Sequence, residues 1–253
     1  MARRRYELTD REWAIIEPLL PNKPRGVARV DDRRVLNGIM WRFRSGATWA
    51  EVPERYGPST TCYNRFVRWR KAGVWERLLS AVSADYDGDL VMIGSTCVRV
   101  HQHGATGKRG ISCDRGMGRS RGGLTSKLHA LVDARGRPIG LTLTGGQVHD
   151  ACEAEARIKA IPAGATLLGD KGYDSNAIRE AAAARDIWAN IPNRSNRKQR
   201  FGFSPWLYKQ RNLVERFFNL IKQFRGVATR YDKDPANYLA AIKLICARIW
   251  CAN

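Results

Sequence analysis

Residues 208–222 read YKQRNLVERFFNLIK, and the reading of this stretch decides what the remainder of the chain is. On a helix, Leu213, Val214, Phe217, Phe218, Leu220, Ile221 and Phe224 fall on one broad apolar face, while Tyr208, Arg211, Glu215, Asn219 and Lys222 cluster opposite. That polar face presents one carboxylate flanked by two cations and a phenol. On geometry alone, an acid between Arg and Lys at helical spacing is a solvated salt-bridge array. A reactive face is the other reading, and its context in the chain must choose between them.

The spacing runs Tyr, two residues, Arg, three residues, Glu, six residues, Lys, and Tyr208, Arg211, Glu215 and Lys222 fill it without a gap. It resembles the signature of insertion-sequence DDE transposases, and the chain is similar to the insertion-sequence-five family of that superfamily over nearly its whole length. The resemblance implies an RNase H-like catalytic domain and an N-terminal domain that holds the element's ends. It further implies binding of terminal inverted repeats, metal-dependent cleavage and strand transfer into target DNA, and a homodimer or higher assembly that pairs two ends.

Composition points the same way. At 253 residues the chain can bury one ordinary core plus a small accessory module. Its 44 Lys and Arg against 24 acids leave a net charge of +20, which suits a polyanion partner. Nucleic acid is the first guess, although ribosomal association or a merely soluble basic surface shares that number. Cys62, Cys97, Cys113, Cys152, Cys246 and Cys251 form no CxxC pair and no secretory leader is read ahead of them. They are expected to be reduced packing thiols in the bacterial cytoplasm, on a nucleoid-associated protein. No apolar run approaches a membrane span, since Lys243 and Arg248 break even the apolar C-terminus.

The expected fold is α/β: an RNase H-like mixed sheet with flanking helices over 86–253, preceded by an all-α, helix-turn-helix-like domain over 1–85. Thr9 with Glu12 and Thr48 with Glu51 fit capping boxes, and Val35, Leu36, Ile39, Met40 and Phe43 form a helix stripe that stops at Gly46. WAEVPERYG (49–57) and STTCYNRFVRWRKAG (59–73) outline two short helices separated at Gly57-Pro58, with Pro53 weakening the first. In the second, Arg65, Arg68, Arg70 and Lys71 meet no acid between Glu54 and Glu76, which suits a helix lying in a DNA groove. A structural cap with solvated arginines is the alternative. Past Asp85, Asp87 and Asp89 the period changes to that of strands: 91–100, 126–134 and 138–146 make an antiparallel meander with a turn at Gly136. An amphipathic helix (149–161), a short strand (165–170), a helix (176–186) and a strand (188–192) follow, and a last helix over about 235–251 packs into the core.

Polynucleotidyl transfer by two Mg²⁺ or Mn²⁺ ions needs carboxylates converging from distant parts of the chain. By resemblance, Asp170 in GDKGYD matches the second acid and Glu215 the third. Alone, Asp170 reads as a turn or capping residue. The first acid is missing: where relatives carry Asp before Ser-Thr, this chain has Gly94, so the expected two-metal site is incomplete. Asp89 is five residues upstream, on the opposite face and about 16 Å away. Ser95 also faces away, and Asp150 is a conceivable substitute to which the resemblance assigns no role.

Tyr208, Arg211 and Lys222 are expected to hold DNA phosphates beside the scissile bond, as the family pattern implies. No acid lies between Asp186 and Glu215, whereas Arg194, Arg197, Lys198 and Arg200 do, which makes a basic loop or groove. Arg119, Arg121 and Lys127 belong to a second basic, Gly-rich stretch (108–127) that either wraps a DNA backbone or forms a solvated hairpin. His101 and His103 lack further ligands for a transition metal, and Trp188 is expected in the core rather than against a displaced base. The leading reading is therefore a transposase whose competence Gly94 places in question. The alternative is a catalytically dead, transposase-derived DNA-binding protein, and a general basic nucleic-acid protein is the third.

Overall fold

A computed structural model describes residues 6–21, 30–86, 88–105 and 115–252. In chain order these form α1 (Asp10–Ile16), α2 (Asp32–Ser45), α3 (Ser59–Lys71), α4 (Val74–Val82), β1 (Leu90–Val100), α5 (Gln102–Ala105), β2 (Gly118–Ser120), β3 (Gly123–Asp133) and β4 (Pro138–Gly145). There follow α6 (Ala154–Ile158), β5 (Thr166–Leu168), α7 (Asn176–Ala183), β6 (Trp188–Asn190), α8 (Pro205–Tyr208), α9 (Asn212–Lys222), α10 (Arg225–Ala228), β7 (Thr229–Arg230) and α11 (Pro235–Ala252). Two compact units result: Met1–Ala84 with His101–Thr106 and Ile221–Asn253, and Asp85–Val100 with Gly107–Leu220. The first boundary falls where the acidic run begins. At the other end, residues from Ile221 onward group with the N-terminal helices, whereas the expected sheet domain ran on to residue 253.

In the helical unit both capping boxes form, with the Glu12 amide donating to Thr9 Oγ1 at 2.9 Å and the Thr48 amide to Glu51 Oε2 at 2.7 Å. The α2 stripe of Val35, Leu36, Ile39, Met40 and Phe43 is wholly buried, and Gly46 ends the helix at φ 74°, a conformation that a side chain disfavours. Residues 49–57 are not a helix but two 3₁₀ turns, Trp49–Glu51 and Glu54–Tyr56. Pro53 separates them, since it has no amide to donate and holds Val52 extended. The helix-turn-helix outline thus retains only its second helix, α3. Arg248 of α11 joins the unit's two ends by donating to Glu12 Oε1, Tyr6 O and Glu7 O.

The sheet unit has the order of an RNase H-like fold. β1 pairs antiparallel with β3 and parallel with β5, β5 pairs parallel with β6, and β3 pairs in turn with β2 and β4. The meander therefore supplies one half of the sheet and the two crossovers through α6 and α7 the other. At the β3–β4 turn Gly136 takes φ 76°, and buried Asp133 accepts from the amides of Arg135 and Arg137. One sheet face packs Val91, Ile93 and Leu131 against Ile158, Tyr173 and Ile178. The other face meets α9: a Cβ on Gly94 would lie 2.9 Å from Val214 Cγ2 and 3.3 Å from Phe218 Cε2. Among the described cysteines none forms a disulfide; Cys62, Cys246 and Cys251 are buried, but Cys97 and Cys152 are exposed and do not pack as expected.

Candidate active site

Helix α9 forms because its apolar residues recur at helical spacing, and Val214, Phe217, Phe218 and Ile221 are buried. Leu220, expected on that face, is 40% exposed. The helical path from residue 205 is not uniform: Ser204 caps α8 behind Pro205, and a 3₁₀ turn over Lys209–Arg211 precedes α9. Glu215 stands half-exposed and accepts from Arg211 Nη1 at 2.9 Å. The Arg211 guanidinium lies over the Tyr208 ring, 5.7 Å from its centre. Burial works to lower the Arg211 pKa, but Glu215, Tyr208 and Asp170 together hold it above its ordinary value. The strand-end acid and the helix acid therefore act on one guanidinium.

Asp170 follows β5 and caps the turn Lys171–Tyr173, its Oδ1 accepting from the Gly172 amide at 2.7 Å. Register pairs Met92 of β1 with Leu168, the last residue of β5, and Asp170 follows two residues later. Gly94 itself faces Val214 and Phe218, so any side chain there would enter a tight apolar contact beside the helix that carries Glu215. Ser95 faces away, as expected, and donates to Asp150 Oδ1 at 2.8 Å.

Asp150 opens the 3₁₀ turn Asp150–Glu153 and also accepts from Lys127 Nζ at 2.9 Å. Burial raises its pKa, yet Lys127 and Ser95 outweigh burial and keep it below the usual carboxylate range. On β3, buried His129 pairs Nε2 with Thr144 Oγ1 at 2.8 Å. Burial, reinforced by Arg157 and Lys127, pushes the His129 pKa down to about 4 against the pull of Asp150.

Several of the expected DNA contacts are bonded to groups of the protein itself. Lys127 is committed to Asp150 and to the Val148 carbonyl, 2.6 Å away. Arg65 is buried against Asp32, and Arg70 pairs with Asp234 at 3.2 Å. Arg197 Nε donates to Asp174 Oδ2 at 2.9 Å. The Arg194 amide reaches the same oxygen at 2.8 Å, while its guanidinium donates to Lys171 O and Gly172 O. Arg179 holds the other oxygen of Asp174 at 2.9 Å. For Arg65, Arg70 and Arg197 the cause is shared: a buried or half-buried guanidinium needs an acceptor, and acids distant in sequence supply one; Arg194 is exposed and donates to carbonyls. Arg68, Lys71, Arg119, Arg121 and Lys198 are exposed, and Lys222 is half-buried at the end of α9. Residues 108–114 of the Gly-rich stretch lie outside the described residues. Trp188 is 44% exposed, contrary to the core placement expected of it.

Sequence reasoning missed Asp174, whose partners Arg179, Arg194 and Arg197 lie too far along the chain for any local pattern to pair them. It also missed Tyr173, whose buried ring lies in the core between the sheet and the turn after β5.

Residues 85–250 match the family described as "Transposase DDE domain". The chain belongs to the DDE transposase family. Residues 8–79 match a further family, "Putative transposase of IS4/5 family", which places this transposase among those of insertion sequences. The Brucella ovis "Putative transposase for insertion sequence element IS6501" is 31% identical over 128 residues, 50% of this chain and 98% of that protein. The Burkholderia cepacia "Putative transposase for insertion sequence element IS402" is 33% identical over 135 residues, 49% of this chain and 62% of that protein. Among solved structures, the "Mos1 transposase paired-end complex with left transposon end" covers 88% of this chain and 79% of its own, at 13% identity and a TM-score of 0.29. None of the described helices of this transposase is long and apolar enough to cross a membrane.

Proposed function

We propose that this chain binds the terminal inverted repeats of an insertion sequence, pairs two ends as a homodimer or higher assembly, and presents Asp170 and Glu215 to the scissile phosphate. The carrying observation is Arg211, which bonds Glu215 and lies in the field of Asp170, although the two acids are 45 positions apart. Arg211, Tyr208 and Lys222 bind phosphates beside the cut, while Arg68, Lys71, Arg119, Arg121 and Lys198 contact the duplex backbone elsewhere.

The family's reaction needs a divalent metal, and the acids expected to hold it do not fit a two-metal centre here. Among the described residues no group of three or more His, Cys, Asp or Glu side chains is arranged to hold a metal. Gly94 contributes no carboxylate, and the space beside it is filled by Val214 and Phe218. Strand cleavage is therefore reduced by about a thousandfold or more in this chain while end binding persists.

Labelled element-end DNA in Mg²⁺ and in Mn²⁺, with the Gly94→Asp variant beside this chain at matched occupancy, tests the reading. Both proteins are expected to bind inverted repeats with steep salt dependence, and only Gly94→Asp to nick and join strands. Equal cutting by both would remove position 94 from the reaction. Binding without preference for the repeats would leave only a general nucleic-acid protein.

A further inference from the structure

Helix α3 separates its residues cleanly between two sides. Cys62, Arg65, Phe66 and Trp69 are buried, and Phe66 packs against Phe43 and Trp75 with ring centres 5.3 and 5.9 Å apart. Thr60, Tyr63, Asn64, Arg68 and Lys71 are exposed, and at helical pitch they fill an arc of about 140° on the other side. No acid occurs in the helix. Arg65 and Arg70 are taken up by Asp32 and Asp234, which leaves Arg68 and Lys71 as the cations of the exposed face, both in its C-terminal half. The N-terminal half is neutral. There Tyr63 is 42% exposed yet held in place, its ring edge-on to Trp49 at 5.5 Å, and the Asn64 amide stands beside it. Charge at one end and neutral, geometrically fixed groups at the other is the division that separates backbone contact from base contact.

We infer that Asn64 and Tyr63 read base edges in the major groove of the element end, Asn64 bonding N6 and N7 of an adenine and Tyr63 lying against the methyl group of a thymine in a neighbouring base pair. Arg68 and Lys71 fix the helix on the phosphates. An amide suits adenine because it offers one acceptor and one donor to the base's N6–H and N7, and an aromatic ring suits the thymine methyl. A helix with its side chains is about 10–12 Å across, which the major groove of about 12 Å admits. A protein partner fits the face poorly, since Tyr63 is its single large exposed hydrophobic among the described residues and its charge is wholly positive. The inference rests on the reading of this chain as a binder of terminal inverted repeats, and adds the residues that carry its sequence preference.

Selection of duplexes from a randomised library by the full-length chain, read by sequencing, tests it without any cleavage assay. The parent chain should enrich one motif. Asn64→Ala should lose roughly tenfold or more of the preference for one adenine in it, and Tyr63→Ala the preference for a nearby thymine. Deoxyuridine in place of that thymine should weaken binding by the parent chain but not by Tyr63→Ala, because the methyl group is then already without its contact. Neither variant should alter the salt slope, whereas Arg68→Ala and Lys71→Ala should keep the motif, weaken binding to every sequence and lower the slope by about one each. Thermal unfolding establishes that each variant is folded. Should Tyr63→Ala fail that check through the loss of its contact with Trp49, Asn64→Ala decides. A motif that survives intact in either folded variant overturns the inference and leaves repeat binding in place; if that variant also changes the oligomeric state, the face belongs to a second copy of the chain. Enrichment of no motif by the parent chain would overturn the reading of repeat binding as well.

Discussion

Asp170 follows β5 at the start of a turn whose next carboxylate, Asp174, is fully buried and bound by Arg179, Arg197 and the Arg194 amide. Glu215 stands on α9 with half its side chain exposed, and Arg211 bonds it from one turn before. The strand-end acid thus owes its position to a buried charge network, while the helix acid owes its position to the packing of Val214, Phe217 and Phe218 on the far side of its helix. A turn has no repeating backbone bonds of its own to fix a side chain, and so needs the network. A helix carries its own bonds and needs only an apolar face.

Removing Asp174 is the largest way to break this contrast. Asp174→Ala leaves Arg179 and Arg197 without their shared carboxylate and should cost about 3–5 kcal/mol in denaturant unfolding. A cost below about 1 kcal/mol would mean that the turn carrying Asp170 is held by other contacts.

On the same side of the sheet, His129 should make stability depend on pH. Its folded pKa of about 4 lies below the unfolded 6.5, so the unfolded chain binds the proton first. Stability is then full above 6.5 and falls by roughly 3 kcal/mol as pH drops to about 4. His129→Gln should flatten that part of the profile, and an unchanged slope would assign it to another group. The Asp174 carboxylate, which burial raises but its arginine partners bring below the ordinary value, adds a further loss only at still lower pH, as it becomes protonated.

The smallest effect belongs to the other side. Glu215→Gln removes an exposed pair and should change unfolding free energy by no more than about 0.5 kcal/mol. In a Gly94→Asp background it should nonetheless abolish strand cleavage. A stability loss as large as that of Asp174→Ala would erase the distinction between the two supports.

Charge was the part of the candidate site least legible in the sequence. The acid-free runs around Arg65–Lys71 and Arg194–Arg200 read as uniformly positive surfaces, yet Arg65, Arg70, Arg194 and Arg197 bond groups brought in by the fold. Asp32 and Asp234 lie 33 and 164 residues from their arginines, and no window along the chain contains both partners. Asp170 and Glu215, by contrast, stand in a spacing pattern that residue types alone can carry.

By itself the sequence determined the order of the main strands in the sheet unit, the capping boxes at Thr9 and Thr48, the buried stripe of α2 and the absence of an acid at position 94. These depend on local periodicity and residue identity, which the chain displays directly. Only the tertiary structure decided that residues from Ile221 group with the N-terminal helices, that Lys127 faces Asp150, and that Arg179 and Arg197 share Asp174. Each of these depends on which distant segments meet when apolar surface is buried, and a charge enclosed by that burial is stabilised by whatever partner the chain brings to it.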